Sequence, residues 1–157
     1  MKHIMLAVAI AALLVSCEKE SITHTGDVSG TLYGVWALDS KTIIYKSGNE
    51  EKTNNVDYSQ AHFYLWLNPI GAVSKKGSFL EADLDDVDVK GTLYVYNADQ
   101  KKIDFKDRVW LSDELFSYNM TLKGVFDVLE LTDKTFVISQ KDALLDRTTV
   151  YYYHRFK

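Results

Sequence analysis

The chain has little of what cross-links, ligates or breaks a protein. Its 157 residues include one cysteine, one proline, eight glycines and four histidines. A single cysteine excludes an internal disulfide and every Cys-x-x-Cys metal or redox motif. So few glycines and prolines exclude collagen-like and low-complexity repeats. No His-x-x-x-His or His-Glu-x-x-His occurs, so no zinc site of familiar spacing is written here. The Gly-x-Ser-x-Gly nucleophile elbow is missing too. No dense run of Lys or Arg offsets the formal net charge of -4, which argues against nucleic acid as the main partner.

Long apolar runs are also scarce. The longest, Ile4 to Val15, has twelve residues, whereas a helix needs about twenty to cross a hydrocarbon core. A basic start at Lys2, a short apolar stretch and Ser16 before Cys17 have the form of a secretory signal peptide. Leu14-Val15-Ser16-Cys17 resembles the lipobox of bacterial lipoproteins. That resemblance implies cleavage after residue 16, acylation of Cys17 and an anchor in the bacterial cell envelope, at the outer membrane. Glu18-Lys19-Glu20 resembles the charged surface-export signals of Bacteroidetes lipoproteins, although a solvated spacer has the same composition.

What is plentiful is β-forming and aromatic. Hydrophobic residues make up 46% of the chain and aromatics 13%, and every Phe, Tyr and Trp lies after Leu32. Residues 17–30 are polar and are expected to form a lipidated, flexible tether. Residues 31–157 then form one domain. Short β-rich runs separated by turn residues are expected at Thr31 to Leu38, Lys41 to Lys46, His62 to Leu67 and Ser78 to Leu84. Others follow at Gly91 to Tyr96, Lys102 to Phe105, Val125 to Leu131, Thr135 to Ser139 and Thr148 to Phe156. Residues 47–60 read as a polar loop. Only Ser112 to Thr121 and Asp142 to Leu145 offer room for a helical turn. Asn97 to Lys101 and Thr132 to Lys134 read as hairpin connections.

About eight strands with short turns and no strand–helix alternation predict an all-β fold. An up-and-down antiparallel barrel is expected, because closure removes sheet edges. A β-sandwich is the alternative.

Gly34-Val35-Trp36 on the first strand resembles the first-strand motif of the lipocalin superfamily. The resemblance implies an eight-stranded barrel whose closed end is plugged by Trp36, with Arg155 packed across the indole. Small lipocalin-like lipoproteins of Bacteroidetes share the plan of lipobox, polar tether and Gly-x-Trp. The helix that follows the last strand in many lipocalins, and their paired cysteines, are missing from this chain.

For chemistry the sequence offers little. Of the domain histidines, His62 and His154, neither precedes an obvious nucleophile. The acidic stretch Glu81, Asp83, Asp85, Asp86 and Asp88 lacks the glycine and terminal glutamate of a calcium loop, and reads more simply as a solvated face. No catalytic residue, metal ligand or cofactor is assigned, and the domain is expected not to be an enzyme. The aromatics Tyr33, Tyr64, Trp66, Tyr94, Tyr96, Tyr151 and Tyr153 are candidates for a ligand or partner surface. Core packing is their plainest use. Two functions remain open: a barrel that holds a small apolar or aromatic ligand, and a filled barrel that docks on an envelope protein.

Overall fold

The computed structural model of the protein describes residues 25–76, 91–111 and 120–157. The regular structure there is entirely β. Nine strands follow in order: β1 (Gly34–Ser47), β2 (Glu50–Asp57), β3 (Phe63–Leu67), β4 (Ala72–Lys76), β5 (Tyr94–Asn97), β6 (Lys102–Leu111), β7 (Met120–Leu131), β8 (Thr135–Asp142) and β9 (Arg147–Arg155).

Every pairing is antiparallel, in the order β4-β3-β1-β9-β8-β7-β6-β5. Strand β2 pairs with the same edge of β1 as β3 does, but further along, at Ser40 to Ser47 rather than Gly34 to Ala37. The two therefore act as one broken strand, interrupted where His62 takes a φ of 54°. Strand β9 returns to β1 over a long register, from Trp36 opposite Arg155 to Tyr45 opposite Arg147. The remaining seam is stitched at one point, where Ala72 and Thr92 exchange two backbone hydrogen bonds of 2.8 Å. The result is an eight-position, up-and-down, nearly closed barrel of lipocalin-like type.

Alternation explains why these residues form this wall. In β3, Phe63, Leu65 and Leu67 point inward, while Tyr64 and Trp66 sit on the outer face. The interior is a stack of rings. Trp36 lies 5.2 Å from Phe136, Phe136 5.8 Å from Tyr153, Phe105 5.7 Å from Phe126, and Phe126 6.1 Å from Tyr151. Such pairs contribute about 0.5–1.5 kcal/mol each beyond area burial.

The structure departs from the sequence expectations in four places. The polar stretch expected as a loop contains β2, an exposed strand held by its pairing to β1 rather than by apolar burial. Strand β4, directly after the Asn68 to Gly71 turn, had no apolar alternation to mark it. The segment expected as flexible tether up to Gly30 is fastened to the barrel from Thr25 onward. Leu131 N–H donates to Asp27 O and Gly30 N–H to Leu131 O, both at 2.7 Å. A side chain at Gly30 would strike the backbone of Thr132 at 2.4 Å, so this close approach requires glycine. Asp142 to Leu145 ends β8 and enters a turn rather than a helix. The run expected at Ser78 to Leu84, the acidic stretch through Asp88 and most of Ser112 to Thr121 lie outside the described residues, as does Cys17.

Candidate functional site

The two ends of the barrel differ in chemistry. The Trp36 end is closed and apolar. The indole N–H of Trp36 donates to Leu32 O at 2.9 Å, which draws the 31–33 segment under the barrel. Arg155 covers the other face, its guanidinium carbon 4.0 Å from the Trp36 ring centre. Its three donating nitrogens reach Asp133 O at 2.9 Å, Tyr33 O at 2.8 Å and Thr31 O. One side chain thus ties the N-terminal segment to the β7–β8 turn. Gly34, with a φ of 146°, leaves room for it, because a Cβ there would lie 2.2 Å from Arg155 Nη1.

Outside this end lies a cleft of about 320 Å³, lined by Thr31, Leu32, Tyr33, Pro69, Tyr94 and Tyr96. The Tyr94 hydroxyl donates to Asn68 O at 2.8 Å, and burial pushes its pKa up to about 12. Burial also raises that of Tyr96.

The inner face turns polar away from the Trp36 end, for a local reason in β1. Strict alternation from Trp36 and Leu38 would continue inward through Ser40 and Thr42. A register shift between Leu38 and Ser40 inserts Asp39 as an extra residue. Beyond it the inward set becomes Lys41, paired with Tyr151 and Val56, then Ile43, paired with Thr149. Lys41 Nζ stands 5.8 Å over the ring of Tyr58. Arg147, four residues before Tyr151 on the same face of β9, joins the set. Gln140 fills the space over Gly124, donating to Lys123 O at 2.8 Å.

These groups feel one another. Burial lowers the pKa of Lys41, and the nearby charge of Arg147 lowers it further. Burial raises the hydroxyl of Tyr151, with Tyr58 adding to the rise and Arg147 opposing it. The hydroxyl of fully buried Tyr153 is pushed well up by burial and by Tyr151. Two polar atoms remain buried without a hydrogen-bond partner among the described residues, Arg147 Nε and the Tyr153 hydroxyl.

The aromatic candidates therefore do not form a single surface. Tyr33, Tyr94 and Tyr96 line the closed-end cleft. Tyr151 and Tyr153 are interior, and Tyr64 and Trp66 join Val35 and Ala37 on the outer wall. There Tyr64 meets Phe156 at 4.7 Å between ring centres. Sequence reasoning missed Lys41, Tyr58, Arg147 and Glu130. Charged side chains in strands are read as outward, and a bulge leaves no composition signal. Among the described residues no cluster of His, Cys, Asp and Glu has metal-binding geometry. No family model matches the chain, and neither a curated protein nor a solved structure matches it.

Proposed function

We propose that this is a lipid-anchored lipoprotein of the bacterial cell envelope, held at the outer membrane through Cys17. Its barrel is a non-enzymatic binding module for a small apolar or aromatic ligand. The lipobox residues Leu14 to Cys17 support the anchor. The observation that carries the binding reading is the unsatisfied polar lining of the interior. A barrel packed only for stability has no use for a half-buried lysine, an unpartnered guanidinium nitrogen and an orphaned phenol on its inner face. The buried guanidinium nitrogen and phenol each cost about 1–3 kcal/mol unless something supplies the missing partner.

A second reading, a module that docks on an envelope protein, draws on the outer-wall group of Tyr64, Trp66 and Phe156. Native mass spectrometry of the mature protein purified from its own host separates the two. A co-purified small molecule supports the binding module, whereas a bare mass from several preparations favours docking. For the anchor, Cys17→Ala is expected to move the protein from the membrane to the soluble fraction. Retention of the variant on membranes would overturn acyl anchoring.

A further inference from the structure

We infer that the polar inner face opposite the Trp36 end recognises an anion, and that the ligand is a small aromatic or apolar acid whose carboxylate-like group sits between Lys41 and Arg147. This rests on the binding-module reading and adds the charge of the ligand to it.

Lys41 and Arg147 share the inner face of adjacent strands, with Lys41 opposite Tyr151 and Arg147 opposite Tyr45, four register positions apart but near enough for Arg147 to act on Lys41. Like charges brought together inside a protein oppose one another unless a counter-charge lies between them. No carboxylate lies within ion-pair distance of Lys41 among the described residues. Arg147 has only Asp142, 3.6 Å from Nη2, and both of those side chains are well exposed, at 40% and 38%. Asp142, the cross-strand partner of Arg147, meets Nη2, while Nε is buried and unpartnered. Lys46 is already engaged with Asp146 at 3.6 Å and does not compete for an anion here.

The surroundings suit an acid with an apolar body. Lys41, Ile43, Gln140, Arg147 and Thr149 are only half-buried, so solvent reaches this inner face. Below it lie the packed rings of Tyr58, Tyr151, Phe126 and Phe105. The Tyr153 hydroxyl, deeper still and 2% exposed, is a second unpartnered donor aimed into the same interior. An anion at the upper position would gain two charge-assisted contacts, with its apolar body over half-buried Ile43.

Fluorescence titration of the full mature chain with two probes of like shape tests this. Anilinonaphthalene sulfonate is an aromatic anion, and N-phenylnaphthylamine is its uncharged counterpart. The anion should bind the more tightly. Lys41→Met and Arg147→Met should each weaken it about tenfold, the loss expected for one charged contact, while Lys41→Arg retains it. Binding of the uncharged probe should be unchanged in all three variants, which also reports that they are folded. Equal binding of both probes with no effect of the variants would overturn the anion inference and leave the binding module standing. Binding of neither probe would overturn both.

Discussion

Arg155 and Trp36 are cross-strand partners on β9 and β1, and the guanidinium carbon lies 4.0 Å from the centre of the indole ring. The stacked cation does two jobs at once. It covers the plug of the barrel, and its hydrogen bonds hold residues 31–33 and the turn at Asp133 against it. Arg155→Met keeps the apolar cover but removes every donor. We expect it to cost about 2 kcal/mol of stability. Arg155→Lys should cost nearly as much, because a point charge cannot reproduce the planar fork. Urea unfolding followed by tryptophan fluorescence measures both. A lysine variant as stable as the native protein would show that charge alone suffices.

The N-terminal segment has its own latch. Glu130 is 2% exposed on the outer face of β7, and its carboxylate accepts from the N–H groups of Thr25 and Gly26 and from the Thr135 hydroxyl. Glu130→Ala strands these donors and is expected to cost about 2–3 kcal/mol. Hydrogen exchange should rise first over residues 25–30, ahead of the barrel strands. Uniform loss of protection across the chain would mean the latch belongs to the global core.

A titrating pair stands on the outer wall. His154 Nδ1 lies 2.7 Å from Asp39 Oδ1, and this hydrogen bond raises the histidine pKa above its ordinary 6.5, against the opposing effect of burial. A raised folded-state pKa stabilises the protonated form. The contribution is therefore full below about pH 6.5 and disappears as the pH rises through the folded value. Both side chains are partly exposed, which limits the effect to about 0.5 kcal/mol. Thermal unfolding between pH 5 and pH 9 should show the decline in the native protein, and Asp39→Asn should flatten it. These pH limits bracket the range in which histidine titrates, about pH 5–8. An unchanged slope in the variant would remove the pair from the explanation.

The orphaned hydroxyl of Tyr153 leads to an unusual expectation. Tyr153→Phe removes a buried polar atom without altering the ring, so the ligand-free protein should gain about 1 kcal/mol. The unfolding midpoint in urea reports it. A loss of stability would mean that the hydroxyl has a partner in solution, such as a buried water.

Much of the barrel was legible in the chain. Alternation in residues 63–67, the hairpin residues at Asn97 to Lys101 and Thr132 to Lys134, and Gly-x-Trp at Gly34 are local signals, and they correspond to β3 and the β5–β6 and β7–β8 turns. The polar strand β2 was not legible, because its stability comes from the neighbouring edge of β1 and not from its own apolar face.

The candidate site divides along the same line. Local periodicity determined the strands, their turns and the aromatic filling, since side-chain direction in a strand depends only on its neighbours. The inward turn of Lys41 depended on the bulge at Asp39, and the position of Arg147 on the same inner face on the return of β9 to β1. Both are set by pairing between residues more than a hundred positions apart in sequence. Only the closed sheet decides which charges are drawn away from water, and therefore where the barrel holds polar groups in need of a partner.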